Sequence, residues 1–233
     1  MKSLHSFPAL FCALMACLLT GPARAADLEF DEYMQRAEAA RKRGDWESVA
    51  SQTAQAINHP DLPRAAAIRS SVHLEYGRAM GVLCHYGEAE KYLLLAREIA
   101  SKGNSSTFPA LIELGALSVA QKKFSGAAAY YSELVPMIER ESRVKTSASA
   151  VADAYEKFAV ALAATGKPEE AESRRREADR IRETSPKAQP VAITPYGSKC
   201  SKLASETTAC RTPPSNAPHS LPVFHSCQSD SPG

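Results

Sequence analysis

Small side chains recur along this chain at fixed distances from four short turns. The turns GDW (44–46), CHYGEA (84–89), KKFSGA (122–127) and GKPEEA (166–171) begin 40, 38 and 44 residues apart. Seven residues before each lies Ala37, Gly77, Gly115 or Ala159, and two residues after each start comes Trp46, Tyr86, Phe124 or Pro168. Three further on stand Val49, Ala89, Ala127 and Ala171, and seven beyond those Ala56, Ala96, Leu134 and Ala178. Seven residues are about two turns of an α-helix, so each set shares a face. The pattern predicts two antiparallel helices around every turn, close enough that a small residue on one admits a larger residue from the other. The aromatic beside the turn fills the wedge where the helices diverge. A lone pair buries only part of its apolar surface and must stack on a neighbour. The predicted fold class is therefore all-α, an α-solenoid of about four helical hairpins.

Punctuation agrees with this division. Asn58-His59-Pro60-Asp61-Leu62-Pro63 separates the first and second units, and Gly103-Asn104-Ser105-Ser106-Thr107 the second and third. Both supply helix stops and N-caps. Residues 139–149 carry no such signal, so a long or broken helix is expected there, and Pro136 is expected to kink its helix or end it early. The very polar last helix suits a terminal cap facing water. After Ser185-Pro186 eight of the fifteen prolines fall within 48 residues, mixed with Ser, Thr and Ala and without apolar periodicity. This composition predicts a disordered tail over 186–233, in which VAITPYG (191–197) is the segment suited to dock on the solenoid.

At the other end, Lys2 precedes the apolar run Phe7 to Leu19, followed by Gly21-Pro22 and Ala23-Arg24-Ala25. This arrangement is that of a secretory signal over 1–25 with cleavage before Ala26. Leu14-Met15-Ala16-Cys17 offers an alternative, a lipobox that would leave Cys17 as a lipid-anchored N-terminus; against it, Leu18 and Leu19 continue the apolar run. No later segment approaches ~18 uninterrupted apolar residues, so no transmembrane span is expected. The expected location is the bacterial periplasm or the medium.

Charge and cysteine content narrow the chemistry. The 233 residues are 44% hydrophobic and 23% charged, with a formal net charge of +2. The arginines Arg174, Arg175, Arg176, Arg180 and Arg182 alternate with Glu170, Glu172, Glu177, Asp179 and Glu183, the mark of a solvated helix face rather than a nucleic-acid site. Cys84, Cys200, Cys210 and Cys227 have no tight metal-ligand spacing, and an oxidising compartment favours disulfides. Four cysteines allow three pairings, among which sequence does not choose. Cys84 by itself suits a small residue packed in a tight turn. Ser142-Arg143-Val144-Lys145 matches S-x-x-K, but the S-D-N and K-T-G elements that this chemistry needs are absent. With no H-E-x-x-H, G-x-S-x-G or phosphate-binding glycine loop either, no cofactor, metal or catalytic residue is expected, and the chain does not read as an enzyme.

Residues about 30 to 184 resemble tetratricopeptide (TPR) repeats, which run from a bulky and a small residue in the first helix, through a G-x-aromatic turn, to alanines in the second. The last unit, YEKFAVALAATGKPEEAESRRREADRIRE, is the fullest match, and the long period is similar to that of kinesin light chain-like bacterial repeats. Departures are Thr53 and Arg175 in bulky apolar positions, Cys84 and Lys122 in place of the turn glycine, and Pro168 in place of the aromatic. The resemblance implies a binding groove lined by the first helix of each unit. Aligned positions are Met34, Glu38 and Arg41; Leu74, Arg78 and Gly81; Ile112, Ala116 and Val119; Glu156, Val160 and Ala163. The family's carboxylate clamp is missing from them, and the centre of the groove is expected to be apolar with charge at its margins. Either this face takes an amphipathic helix or apolar peptide, with Leu74, Arg78, Ile112, Ala116, Val119, Glu156 and Val160 as partner-binding residues, or these side chains are core between tightly wound repeats. The implied function is an exported adaptor for a protein partner. The alternative is a structural envelope component that self-associates, through tail disulfides among other contacts.

Overall fold

The computed structural model describes residues 28–141, 147–186 and 194–200. Among these, eight helices follow one another: α1 (Phe30–Lys42), α2 (Trp46–Asn58), α3 (Ala66–Val82), α4 (Tyr86–Lys102), α5 (Phe108–Ala120), α6 (Phe124–Glu141), α7 (Ala148–Ala164) and α8 (Pro168–Thr184). They pack as α1/α2, α3/α4, α5/α6 and α7/α8, and successive pairs join through α2 on α3, α4 on α5 and α6 on α7. The first helices also meet across the repeats, α3 on α5 and α5 on α7.

The small residues do what their spacing predicts. A Cβ added to Gly77 would lie 2.9 Å from Leu93 Cγ on α4, and one added to Gly115 would lie 2.6 Å from Tyr131 Cζ on α6. Leu93 and Tyr131 are themselves 0% and 1% exposed, so the missing side chain of one helix is the space its partner's large residue fills. Trp46 and Val49 are buried together in the core between the first two pairs. The counterpart Pro168, at the end of the array, is exposed. Thr53, polar in an apolar position, is fully buried and satisfies its hydroxyl by donating to the carbonyls of Val49 (2.7 Å) and Ala50 (3.2 Å).

All four turns have the same backbone, although only two carry glycine. Gly44, Cys84, Lys122 and Gly166 have φ of 72°, 70°, 58° and 80°. The amide that follows each donates back to a carbonyl of the preceding helix: Asp45 to Ala40, His85 to Met80, Lys123 to Ser118 and Lys167 to Leu162. This left-handed residue closes a helix by satisfying carbonyls that the helix cannot. Lys122 is exposed and occupies a conformation that costs a residue with a Cβ roughly 1–2 kcal/mol. Lys122→Gly, which also enlarges the freedom of the unfolded chain, is expected to stabilise by roughly 0.5–1 kcal/mol in urea denaturation. A loss of stability would mean that the lysine side chain makes an interaction here that outweighs the strain.

Of the two outcomes expected at Pro136, an early end does not occur, because α6 runs on to Glu141; Leu134, Val135, Met137 and Ile138 pack into the C-terminal core and hold the backbone helical across the missing hydrogen bond. Of a long or a broken helix between the third and fourth units, the broken one is found: Ser147 is not helical and α7 opens at Ala148, while 142–146, with the S-x-x-K match, lie outside the described residues. The expected signal over 1–25, Cys17, Cys210 and Cys227 lie outside them too. Among the described residues no helix is long and apolar enough to cross a membrane.

Candidate functional site

The groove positions aligned from the sequence differ in burial and in what they touch. Leu74 packs against the middle core and Ile112 and Val119 against the C-terminal core. Ala116 is buried, and Glu156 faces Arg182 on α8 at 3.4 Å. Val160 is 41% exposed and Arg78 sits in an ion network. Leu74, Ile112, Ala116 and Val119 thus fit the alternative of core between repeats, and beside them runs a ladder of charge.

Besides the aligned Arg41 and Arg78, the ladder uses the positions one residue beyond Leu74, Ile112 and Glu156. Glu75, Glu113 and Lys157 occupy equivalent places on α3, α5 and α7. Glu75 lies 4.0 Å from Arg41 of α1 and 2.7 Å from Arg78 of its own helix. Arg78 Nε lies 3.1 Å from Glu113 on α5. The side chains of Arg78 and Glu113 are only 14% and 11% exposed, so the pair joins two repeats away from bulk water. Burial works against the Arg78 charge, yet Glu113 and Glu75 together hold its proton more tightly than usual. On α7, burial pulls the Lys157 amine below the usual lysine range, although the nearby charges of Glu113 and Asp153 favour its protonated form. Signs therefore alternate from Arg41 through Glu75, Arg78 and Glu113 to Lys157. The sequence does carry a trace of this, since Glu113 is the one charged residue in the helix FPALIELGALSVA. A single charge in an apolar helix calls for a buried partner.

Part of the tail completes the site. Thr194, Pro195, Tyr196, Gly197, Ser198, Lys199 and Cys200 lie against α3, α5 and the starts of α2 and α4, so the docking expected of VAITPYG is seen over 194–197 and extends to Cys200. Cys84, at the α3–α4 turn, is disulfide-bonded to Cys200, one of the partners that spacing left open. Besides sitting in the turn with a left-handed backbone, Cys84 therefore anchors the tail. Tyr196 donates its hydroxyl to one oxygen of Glu113 at 2.7 Å, and Thr194 donates to the other at 3.1 Å. Arg78 Nε in turn donates to the Thr194 hydroxyl at 2.9 Å. Burial, then the Glu113 charge, pushes the Tyr196 phenol well above its ordinary range, so it remains a hydrogen-bond donor. Lys199 bonds both oxygens of Glu47 at 2.7 and 2.8 Å, which holds the Glu47 carboxyl below its usual range. Among the described residues no group of three His, Cys, Asp or Glu side chains is placed to hold a metal ion.

Paired helices of this length, joined by a left-handed turn and interlocked by small residues, define a TPR-like helical-repeat fold. The crystal structure of BtubC (BKLC) from P. vanneervenii is similar, with a TM-score of 0.61 and 16% identity, over 70% of this chain and 67% of that one. So is a variant of a kinesin light chain from Podosopora anserina with nearly identical TPR-like repeats, with a TM-score of 0.51 and 16% identity over 71% of this chain and 81% of that one. At such identity the likeness is one of fold. No family model matches the chain, and no curated protein matches it. Helical-repeat folds of this kind are generally protein-interaction scaffolds rather than catalysts.

Proposed function

We propose that the chain is an exported adaptor that binds a protein partner along the shared face of α1, α3, α5 and α7, without catalysis of its own. The observation that carries this reading is the grip on Thr194–Cys200, a polypeptide segment held by side-chain hydrogen bonds to Glu113 and Glu47 and by contact with α3 and α5. A face that recognises one peptide through charge and shape has the equipment to recognise another. Beyond that segment the face continues through Lys157 to Val160, an exposed apolar residue, and this part suits a partner that brings a carboxylate and an apolar side chain. Export is supported by the N-terminal pattern and by the disulfide, which persists in oxidising compartments such as the periplasm. Self-association through tail disulfides is left with fewer cysteines, because Cys84 and Cys200 are paired within one chain.

A photo-crosslinking residue placed at Val160 of the exported full chain should give a discrete crosslinked protein. Placed at Glu172, exposed on α8 in the second layer of helices, it should not. Equal products from both positions, or none from Val160, would remove the Lys157–Val160 part of this face as the binding surface.

A further inference from the structure

We propose that the hollow over Gly81 is a seat for the tyrosine of a turn-forming peptide, filled by the chain's own Thr194–Cys200 as a self-ligand that the Cys84–Cys200 disulfide latches in place. This deepens the adaptor reading and rests on the inner face being the binding surface.

The seat has three parts. Gly81, in the last turn of α3, differs in use from Gly77 and Gly115, whose missing side chains admit a helix of the same repeat. A Cβ at Gly81 would lie 2.4 Å and 2.6 Å from ring carbons of Tyr196, a residue from the tail, and 3.1 Å from Leu117 of α5. The hollow is therefore made between two repeats and filled from outside both. At its edge stands Glu113, one carboxylate oxygen turned to the phenol and the other shared by Arg78 and the Thr194 hydroxyl. A buried carboxylate needs donors, and with the tail removed the oxygen now bonded to Tyr196 loses that donor. The third part is how little the segment depends on its backbone for attachment. Among the described residues, its backbone hydrogen bonds stay within itself, from Tyr196 to Thr194, Ser198 to Pro195 and Cys200 to Gly197. Recognition thus falls on the tyrosine and threonine side chains, which a segment of another protein can also present.

The latch decides whether the seat is open. While Cys84 and Cys200 are bonded the tail cannot leave, and a free peptide meets a filled site. A dithiol opens it: one thiolate attacks a sulfur of the pair and displaces the other, which takes up a proton. The second thiol of the reductant then resolves the mixed disulfide, leaving two protein thiols and the reductant as its own disulfide. The released tail stays tethered at an effective concentration in the millimolar range, so only a peptide presented at comparable concentration, or bound more tightly, displaces it.

The test uses the full chain and a fluorescein-labelled peptide of sequence Thr-Pro-Tyr-Gly-Ser, followed by fluorescence anisotropy. Cys200→Ser/Tyr196→Ala, in which the self-ligand has lost its latch and its ring, should bind the peptide at least tenfold more tightly than the oxidised wild type. A peptide with phenylalanine for tyrosine should bind roughly tenfold more weakly, since it lacks the donor for Glu113. Adding Gly81→Ala, with helicity checked by circular dichroism, should abolish binding. Should the double variant fail to fold, Cys200→Ser alone must still discriminate tyrosine from phenylalanine, with a raised apparent Kd. The proposal is overturned if a folded, emptied chain does not bind, if oxidised wild type binds equally well, or if the phenylalanine peptide binds as tightly. Because the probe is the chain's own sequence, failure here with Val160 crosslinking intact removes the seat and leaves the adaptor reading standing. The converse result leaves the seat and removes Val160 from the partner's footprint.

Discussion

Glu113→Ala is expected to lower the stability of the oxidised protein by about 3 kcal/mol, the lower end of the ~3–5 kcal/mol typical when one partner of a buried ion pair is removed. The lower end applies because Arg78 keeps Glu75 at 2.7 Å and is not left wholly without a counter-charge. Two further losses act in the same direction. The hydroxyls of Thr194 and Tyr196 both donate to Glu113, and without it they face an apolar alanine. Glu113→Gln keeps an acceptor oxygen and the shape of the side chain, so it should cost less than the alanine variant. Urea denaturation with the disulfide intact measures both. A loss below about 1 kcal/mol for Glu113→Ala would place this pair with surface ion pairs, whose worth is small, and would contradict its burial.

Trp46→Ala should be at least as damaging, at about 3–5 kcal/mol. The indole is 7% exposed and packs in the cluster of Ala40, Val49, Ala50, Met80 and Val82, which joins α1 and α2 to α3. Removing it opens a cavity that rigid helices close poorly. In a repeat array the loss should fall first on the terminal pair, so melting is expected to broaden as α1/α2 frays before the rest. Far-ultraviolet circular dichroism is the measurement, because Trp46 is the only tryptophan and the variant has no fluorescence probe of that kind. A variant that melts like the wild type would show that the first turn is held by something other than this wedge.

How far the site could be read beforehand depends on what each residue's role involves. The four turns were legible because a helical hairpin is a local object: Gly44, Cys84, Lys122 and Gly166 mark helix ends within a few residues of the contacts they allow. So were Gly77 and Gly115, whose partners Leu93 and Tyr131 lie on the next helix of the same unit. On the inner face Arg41 and Arg78 were among the aligned positions, whereas Glu75, Glu113 and Lys157 were missed by a single residue. Leu74 and Ile112 differ from Glu75 and Glu113 by about 100° of rotation, enough to exchange apolar positions for charged ones. Periodicity in small residues fixes which side of a helix meets its hairpin partner far more tightly than it fixes the opposite side.

Taken alone, the sequence determined an all-α array of four helical pairs, its turns, and the two-layer interlocking of small against large side chains, since all of these rest on neighbours within about 20 residues. Only the tertiary structure decided that Arg78 finds Glu113 on the next repeat, that Cys84 pairs with Cys200 across a separation of 116 residues, and that Tyr196 fills the hollow over Gly81. Those contacts depend on how successive pairs are rotated on one another, and that rotation comes from the summed packing of whole helices, which no local pattern encodes.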